Sequence, residues 1–227
     1  MQAVILAAGK GTRMRPLTYE IPKPMLMVNG KPILEYTISF LPESVDEVII
    51  VIGYLGEQIK EYFGSNFLGK KITYVFQEKL NGTGGCIQLC RSILKNNFLV
   101  LMGDDLYHKK DIEKLAQEKL AVLAYRVEDP TRFGIFKIDA NNQLMEIIEK
   151  PKFSKSNLAN IGAYAINQDF FNYPLVPISE TEYGLPQTLT SMNKDFKIKV
   201  IPAKMWQPVG YPEDIEKAEK NLDKFLN

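Results

Sequence analysis

The residues best suited to bind a polyanion lie near the start of the sequence, directly after the apolar run Ala3–Leu6. Gly9 and Gly11 allow the backbone to approach a ligand closely and to present its N–H groups. The same segment carries three cations, Lys10, Arg13 and Arg15. Together these residues predict a site for the phosphates of a nucleotide. A glycine turn with solvated surface cations is the alternative, and glycines and charges alone do not decide between the two.

Two familiar phosphate-binding motifs do not fit this loop. The dinucleotide motif G-x-G-x-x-G and the phosphate loop G-x-x-x-x-G-K-[ST] both require a glycine where this chain has Met14. The loop is therefore neither a standard dinucleotide site nor a standard phosphate loop.

Composition excludes several classes of partner. The chain has 227 residues, 24% of them charged, and a net charge of +1, so no overall field favours nucleic acid or an anionic membrane. No apolar run approaches the ~20 residues of a membrane span. The start, Met1–Val4, has none of the features of a signal peptide. We therefore expect a cytoplasmic protein, with no membrane or nucleic-acid partner.

The two cysteines are predicted to be reduced core thiols. Cys86 and Cys90 lie four residues apart in a predicted helix, and His108, the one histidine, lies elsewhere in the chain. A metal site built on this pair would need further ligands.

The order of the predicted elements indicates the fold that must position the loop. In the first half, strands are predicted at 3–6, 47–52, 72–77 and 98–102, with helices at 33–41, 56–63 and 84–94. Continuously apolar strands separated by helices are typical of a parallel sheet covered on both faces. In such sheets ligands bind at the carboxyl ends of the strands, where this loop begins.

The second half has a different pattern. It contains a predicted strand at 120–126, a hairpin at 133–150 that turns at Asn141–Asn142, a strand at 161–166, a helix at 185–193, a strand at 197–203 and a last helix at 212–226. We predict an α/β fold, a Rossmann-like three-layer α/β/α arrangement with a mixed, mainly parallel central sheet. Residues 1–227 are expected to form one domain, with a nucleotide-binding lobe at about 1–103, a second lobe at about 104–227, and a cleft between them.

One enzyme family has a signature that resembles the opening loop. The sugar-phosphate nucleotidyltransferases, or nucleoside-diphosphate-sugar pyrophosphorylases, have a segment similar to LAAGKGTRMRPLT followed by PKPM. Six further segments follow in the order expected for that family: QEKLNGTGG (77–85), LMGDD (101–105), DPTRFGIF (129–136), IIEKP (147–151), ANIGAYAI (159–166) and EYGLPQTL (182–189). Each is weak alone, but the ordered set covers residues 1 to about 215.

The resemblance implies a reaction between two anions. A nucleoside triphosphate and a sugar 1-phosphate would give a nucleoside-diphosphate sugar and pyrophosphate, by in-line attack of a sugar phosphate oxygen on the α-phosphorus, without a covalent enzyme intermediate. Such an enzyme must position both substrates and neutralise the charge that moves onto pyrophosphate. Mg²⁺ is the implied cofactor.

Nucleotide binding is implied for Leu6, Ala8, Gly9, Gly11, Thr12, Arg13, Lys23, Gln77, Gly82 and Thr83. Within this set, Arg13 would stabilise the departing pyrophosphate, and Lys23 would reach the α-phosphate. Gln77 and the backbone at Gly82 would read the base, for which UTP or dTTP is the preferred guess.

The resemblance implies that the lobe at about 104–227 binds the sugar phosphate, through Gly134, Glu149, Lys150, Asn160 and Gly162, and that Asp104 binds Mg²⁺. The proposed catalytic set is Arg13, Lys23, Asp104 and Lys150. Structural alternatives remain open at this stage. Lys23 and Lys150 could be surface lysines, and Asp104 or Asp105 could cap the following helix.

One position departs from the family pattern. Near the C-terminus the family typically has W-x-D-[IV]-G-[TK]-P, and here Pro208 stands at the position of the aspartate, which joins the first aspartate on Mg²⁺. Proline has no side chain that can bind a metal. Three interpretations follow: Mg²⁺ is held by Asp104, phosphates and water; Asp105 or Asp214 substitutes; or the protein is a weak or inactive homologue that still binds nucleotide.

Two functions compete with the transferase. One is a regulatory domain of the same fold that senses nucleotide or nucleotide sugar. The other is a cytidylyltransferase for a non-sugar phosphate such as phosphocholine, against which the sugar-side segments argue. The sugar and the oligomeric state are left open, a homo-oligomer included. The length favours a stand-alone catalytic domain without the left-handed β-helix that some relatives append.

Overall fold

The protein is described by a computed structural model that covers residues 1–226. Its strands are β1 (Gln2–Ala7), β2 (Met27–Val28), β3 (Lys31–Pro32), β4 (Glu47–Ile52), β5 (Asn66–Phe67), β6 (Lys70–Phe76), β7 (Asn97–Met102), β8 (Asp105–Tyr107), β9 (Ala121–Arg126), β10 (Gly134–Ile138), β11 (Leu144–Glu149), β12 (Leu158–Asn167), β13 (Val176–Pro177), β14 (Tyr183–Gly184), β15 (Lys199–Pro202) and β16 (Trp206–Pro208). Its α-helices are α1 (Ile33–Ser39), α2 (Gly56–Phe63), α3 (Gly82–Leu89), α4 (Lys109–Leu115), α5 (Leu185–Ser191), α6 (Glu213–Asn221) and α7 (Asp223–Leu226).

A ten-stranded mixed sheet forms the centre of the molecule. Its main path runs β11-β10-β12-β7-β1-β4-β6-β5, and β9 pairs with both β12 and β15. The strands β7, β1, β4 and β6 are parallel, whereas β12 joins β7 in the antiparallel direction. The sheet contains strands from both sides of residue 103, so the two lobes share one sheet, and their boundary stays a prediction.

Both faces of the sheet are buried, because alternate residues of the parallel strands point to opposite sides. Ile5 and Ile50 belong to the core cluster that also contains residues of α1, α2 and α4. Val4 and Ile49 belong to the cluster on the other face, which contains residues of α3 and α5. This arrangement confirms the predicted three-layer fold.

A third core cluster connects the glycine-rich loop to the C-terminal segment. Met14 is completely buried there, together with Val209, Ala218 and Phe225. Met14, the residue that does not fit either familiar phosphate-binding motif, therefore fixes the loop in the hydrophobic core. A glycine at this position would remove the side chain that holds the loop against α6.

Most predicted elements are present, with shifted ends. Helix α3 begins two residues before the predicted start and ends at Leu89, because the chain turns at 90–93 and Asn96 adopts a positive φ of 49°. Strand β12 extends over 158–167, beyond the predicted 161–166. Sequence analysis missed β8, β16 and α4, because three-residue strands and a seven-residue helix show little periodicity.

Neither Asp104 nor Asp105 caps the following helix, so the structural alternative left open for these two residues is wrong. Helix α4 begins at Lys109, and its N-cap is His108, whose Nδ1 accepts a hydrogen bond from the Lys110 N–H at 3.1 Å. Asp104 and Asp105 lie before β8 and at its start, and neither caps α4. Their carboxylates are thus left for other contacts.

Candidate active site

The glycine-rich loop is held in one shape by contacts at Gly11. Its φ is 58°, and a β-carbon at this position would lie 2.9 Å from Cβ of Lys23. Its carbonyl accepts hydrogen bonds from the Met14 N–H at 2.9 Å and the Thr18 hydroxyl at 2.8 Å. At Gly9, in contrast, no atom lies within 4 Å of the position that a β-carbon would occupy, so the backbone there is open to the cavity. The loop is closed on the Lys23 side and open where a ligand would lie.

A short ion pair joins this loop region to the end of β7. Nζ of Lys23 lies 2.5 Å from Oδ2 of Asp104, and the Lys23 side chain is only 9% exposed. Burial alone would lower the pKa of Lys23, but the carboxylates of Asp104 and Asp105 outweigh it, and the pKa is raised above its ordinary value. Lys23 is therefore a buried, charged ammonium and not a surface lysine.

A cavity of about 340 Å³ opens beside the loop. All ten residues predicted to bind nucleotide line it: Leu6, Ala8, Gly9, Gly11, Thr12, Arg13, Lys23, Gln77, Gly82 and Thr83. Asp104 lines it as well. The structure brings this set together, and the role of each residue stays a prediction.

Gln77 is held in the wall of this cavity by its neighbours. Its Nε2 donates to Oδ1 of Asn81 at 2.9 Å, and its Oε1 accepts from the Cys86 thiol at 3.0 Å. Burial raises the pKa of Cys86 to about 12, so the thiol keeps its proton and acts as the donor. The two cysteines are free and buried, as predicted. The structure adds that Cys86 orients the glutamine.

The start of α3 is covered by β14. Gly82 has a φ of 83°, and a β-carbon there would lie 2.4 Å from the carbonyl oxygen of Tyr183. The Tyr183 N–H donates to the Asn81 carbonyl at 2.9 Å, and the Leu185 N–H donates to Oγ1 of Thr83 at 3.0 Å. A segment more than ninety residues away in sequence thus forms the cover of the predicted base pocket.

A second cavity of about 540 Å³ lies on the other side of Asp104. All five residues predicted to bind the sugar phosphate line it: Gly134, Glu149, Lys150, Asn160 and Gly162. It shares Arg13, Lys23, Thr83, Met102, Asp104 and Gly210 with the first cavity. The two cavities therefore meet at the Lys23–Asp104 ion pair.

Strand pairing places the sugar-side residues. Gly134 of β10 pairs with Glu149 of β11, and a β-carbon on Gly134 would lie 2.8 Å from Oε2 of Glu149. In β12, Oδ1 of Asn160 accepts from the Gly162 N–H at 3.1 Å and from the Tyr164 hydroxyl at 2.9 Å. The amide of Asn160 is thereby fixed with its nitrogen available to a ligand.

Gly162 and Lys150 have backbone conformations that L-residues rarely adopt. Gly162 has a φ of 72°, and a β-carbon there would lie 2.3 Å from Cγ of Met102. Lys150, which is not a glycine, has a φ of 41° and donates its N–H to the Phe133 carbonyl at 3.0 Å. Strained conformations of this kind cluster at active sites, although other non-glycine residues of this chain, such as Asn96, adopt a positive φ in loops.

Neither substitute for the missing second carboxylate is free. Asp105, which pairs with Pro208, accepts from Nε1 of Trp206 at 3.0 Å and from the Val209 N–H at 3.3 Å. Burial, and next the charge of Asp104, raise the pKa of Asp105 above its ordinary value. Asp105 therefore ties the C-terminal segment to β8.

Asp214 is engaged in the same way. Its Oδ2 accepts from the N–H groups of Gly210 and Tyr211, both at 3.0 Å, and its Oδ1 pairs with Lys217 at 2.9 Å. Within residues 1–226 no group of three or more His, Cys, Asp or Glu side chains is placed to hold a metal. Asp104 retains one carboxylate oxygen, Oδ1, with no hydrogen bond inside the described chain. The residues present thus fit Mg²⁺ held by one carboxylate with substrate phosphates and water.

Several lining residues were not predicted. The nucleotide-side cavity also contains Met14, Pro24, Leu80, Cys86, Met102, Glu182 and Gly210. The sugar-side cavity also contains Arg132, Phe133, Tyr164, Gln187, Trp206 and Tyr211. Most of them lie inside the quoted family segments, so position within a motif was the available signal.

No residue in 1–226 belongs to a helix long and apolar enough to cross a membrane.

Comparison with known proteins adds to this geometry. The family model for nucleotidyl transferases matches residues 2–224. The bifunctional protein GlmU of Methanococcus maripaludis is 34% identical over 232 residues, which cover 100% of this chain but 55% of that protein. The UTP–glucose-1-phosphate uridylyltransferase AglF of Haloferax volcanii is 32% identical, with 98% of this chain and 96% of that protein covered. This chain therefore spans about half the length of the GlmU relatives.

Solved structures show the same fold. A putative glucose-1-phosphate thymidylyltransferase from Bacillus anthracis superimposes with a TM-score of 0.88 at 26% identity, covering 100% of this chain and 97% of the other. A UDP-glucose pyrophosphorylase solved with UDP-glucose superimposes with a TM-score of 0.86 at 23% identity, which shows likeness of fold.

Proposed function

Because the chain belongs to the nucleotidyl transferase family, we propose that it transfers a nucleotidyl group from a nucleoside triphosphate to a sugar 1-phosphate. An oxygen of the sugar phosphate attacks the α-phosphorus, the bond from the α-phosphorus to its bridging oxygen breaks, and pyrophosphate leaves with that electron pair. The products are a nucleoside-diphosphate sugar and pyrophosphate.

The observation that carries this proposal is the junction of the two cavities. Arg13, Lys23 and Asp104 line both of them, so a triphosphate in one and a sugar phosphate in the other would meet at these three residues. Two phosphates repel each other, and a buried ammonium reduces that repulsion. A site that only bound a nucleotide would have no use for the second cavity.

The residues divide the work between the two substrates. Arg13 neutralises the departing pyrophosphate, and Lys23 holds the α-phosphate after exchanging its partner Asp104 for the substrate. Lys150 holds the sugar phosphate, and Glu149 and Asn160 bind sugar hydroxyls. Asp104 would hold Mg²⁺, which when bound supplies charge neutralisation at the phosphates.

UTP or dTTP is the preferred nucleotide in this proposal. Gln77 offers both an amide donor and a carbonyl acceptor, which suits the alternating acceptor and donor groups of uracil and thymine. Two relatives support a pyrimidine, the UTP-dependent uridylyltransferase AglF and the thymidylyltransferase from Bacillus anthracis. A heptose 1-phosphate guanylyltransferase of Campylobacter jejuni, 38% identical over 177 residues, makes GTP the first competitor.

A matrix of substrates tests the proposal. ATP, GTP, CTP, UTP and dTTP are each combined with several sugar 1-phosphates, with Mg²⁺ or with a chelator, and pyrophosphate release is measured. We expect turnover for at least one pair, dependent on Mg²⁺ and absent in Lys23→Met. Lys71→Met is the matched control, because Lys71 is an exposed lysine that pairs with Glu47 away from both cavities.

Pro208 supports a second candidate, a nucleotide-binding homologue without turnover. In that case every pair in the matrix would fail, while calorimetry would still detect nucleotide binding to the wild-type protein. That combination of results would overturn the transferase and favour the regulatory domain.

A further inference from the structure

Two guanidinium groups share one aromatic ring at the sugar-side cavity. The ζ-carbon of Arg13 lies 5.3 Å from the centre of the Tyr211 ring, and that of Arg132 lies 5.5 Å from the same centre. Both distances are in the range of cation–π contacts. The three residues come from the loop after β1, the turn before β10 and the segment after β16. Three distant parts of the chain thus bring two like charges together.

In the described part of the chain, no carboxylate lies at ion-pair distance from either of these guanidinium groups, those of Arg13 and Arg132. Asp129 attracts Arg132, but its Oδ1 is already held by Thr131, whose N–H lies at 3.0 Å and whose hydroxyl lies at 2.6 Å. Two guanidinium groups on one ring, neither of them ion-paired, form a site that favours a ligand anion.

The ring between the two arginines is held in position. The N–H of Tyr211 donates to Oδ2 of Asp214, a buried carboxylate that also accepts from the Gly210 N–H and pairs with Lys217. The backbone that carries the ring is therefore fixed at the start of α6. The Tyr211 ring can therefore orient the exposed guanidinium of Arg132 by stacking, in place of an ion pair with a protein carboxylate.

Arg132 is also adjacent to Lys150. The carbonyl of Phe133, the next residue in the chain, accepts the Lys150 N–H at 3.0 Å, and both Arg132 and Lys150 line the sugar-side cavity. The unusual positive φ of Lys150 belongs to this contact. The ammonium and the guanidinium thus start from neighbouring strand ends and face one space.

We propose that Arg132 binds the phosphate of the sugar 1-phosphate together with Lys150, and that Tyr211 positions the Arg132 guanidinium beside Arg13. This inference rests on the proposed function. It places an additional positive group in the same cavity that Pro208 lines, where the family pattern has a carboxylate. In the family pattern a second carboxylate helps to hold the metal that neutralises the phosphates. Here arginine would neutralise the phosphate charge by direct contact.

Isothermal titration calorimetry of the full chain, without the second substrate, tests the proposal with α-D-glucose 1-phosphate, inorganic phosphate and UTP as separate probes. We expect Arg132→Gln to weaken glucose 1-phosphate or phosphate binding at least about tenfold, since a charge-assisted hydrogen bond is lost. Arg132→Lys should recover part of this loss, because a point charge replaces a bidentate fork. Tyr211→Leu should weaken binding less than Arg132→Gln does. UTP affinity in Arg132→Gln should stay within about twofold of the wild type.

Arg91→Gln is the matched control, because Arg91 is another exposed arginine that stacks on a ring, at 5.7 Å from the centre of Phe171, outside both cavities. It should bind all three probes like the wild type. Equal affinity of Arg132→Gln and wild type for glucose 1-phosphate and phosphate would overturn the inference, as would no wild-type binding of either probe. So would a loss confined to UTP.

The inference and the proposed function fail in different ways. If the wild type turns over a substrate pair and Arg132→Gln keeps the same KM for the sugar 1-phosphate, the function stands and the role of Arg132 is wrong. If no pair is turned over but phosphate binding depends on Arg132, the binding site stands and the transferase is wrong.

Discussion

The two cavities are built from different kinds of sequence. Most of the nucleotide-side wall comes from two continuous stretches, 6–24 and 77–86. Apart from Asp105 and the residues shared with the first cavity, the sugar-side wall comes from stretches between Arg132 and Lys217, which β10, β11, β12 and the C-terminal segment bring together. The first wall is shaped by local backbone turns, and the second by long-range strand pairing.

This difference teaches where each site is vulnerable. The nucleotide side depends on glycines whose missing β-carbons allow close approach, so a single added methyl group can close it. The sugar side depends on carboxylates such as Asp105 and Asp214, which tie separate segments together. The Lys23–Asp104 ion pair belongs to both sides, and its loss should therefore have the largest effect.

Asp104→Asn removes the negative charge at the junction of the two cavities. We expect turnover to fall by about 10³-fold or more, because Mg²⁺ would no longer be held there to neutralise the phosphates. Pyrophosphate release at saturating substrate measures this loss. Asp105→Asn is the neighbouring control and should retain Mg²⁺-dependent turnover. It should instead unfold more easily, by about 1–2 kcal/mol, since one of its bonds to Trp206 or Val209 is lost. Near-normal rates in Asp104→Asn would contradict the assignment.

Gly82→Ala tests the local character of the nucleotide side. A methyl group there meets the Tyr183 carbonyl at 2.4 Å, so we expect stability to fall by about 2–4 kcal/mol and the KM for the nucleotide to rise. Gly30→Ala is the matched control, because Gly30 has a similar φ of 78° but no atom within 4 Å of the added carbon. It should lose only about 1 kcal/mol. Urea unfolding of both variants measures the difference, and equal losses would show that the contact with Tyr183 is unimportant.

Pro208→Asp restores a carboxylate on the sugar side of the junction. Because Pro208 pairs with Asp105 next to Asp104, we expect the Mg²⁺ concentration for half-maximal turnover to fall about three- to tenfold. Pro208→Ala removes the ring without adding charge and should leave this concentration near that of the wild type. An unchanged Mg²⁺ requirement in Pro208→Asp would mean that position 208 does not face the metal.

The smallest effect concerns His108, whose backbone N–H donates to the carbonyl of Met205 at 3.3 Å, next to Trp206 of the sugar-side wall. Burial lowers the pKa of His108 below its ordinary value, so the unfolded chain takes up the proton first. The stability contributed by neutral His108 is thus present above about pH 6.5 and is lost as the pH falls below it. Between pH 7.5 and 5.5, the wild type should lose up to about 1 kcal/mol more than His108→Asn, in which the asparagine still caps α4. Chemical denaturation at both pH values measures this, and parallel losses would contradict it.

The sequence predicted the nucleotide side more completely than the sugar side, for the same physical reason. Glycines, a strand end and cations lie close together within 6–24, so one continuous segment carries the resemblance to the family, although the glycines and charges alone left a surface turn open. The partners of Asp105 lie about a hundred residues away on a strand of three residues with no periodic pattern, and its role as a tie could not be read. The stacking of Arg13 and Arg132 on Tyr211 likewise depends on three segments that only the folded sheet brings together.

The packing of β14 over α3 has a consequence for how binding at one cavity affects binding at the other. The Tyr183 carbonyl lies against Gly82 at the nucleotide-side cavity. Helix α5, which follows β14, carries Gln187 at the sugar-side cavity. The continuous segment from β14 into α5 therefore contributes to the surroundings of both cavities. A ligand that displaced this segment on one side would change the space on the other, and the affinities at the two sites would then be coupled by the same factor in both directions.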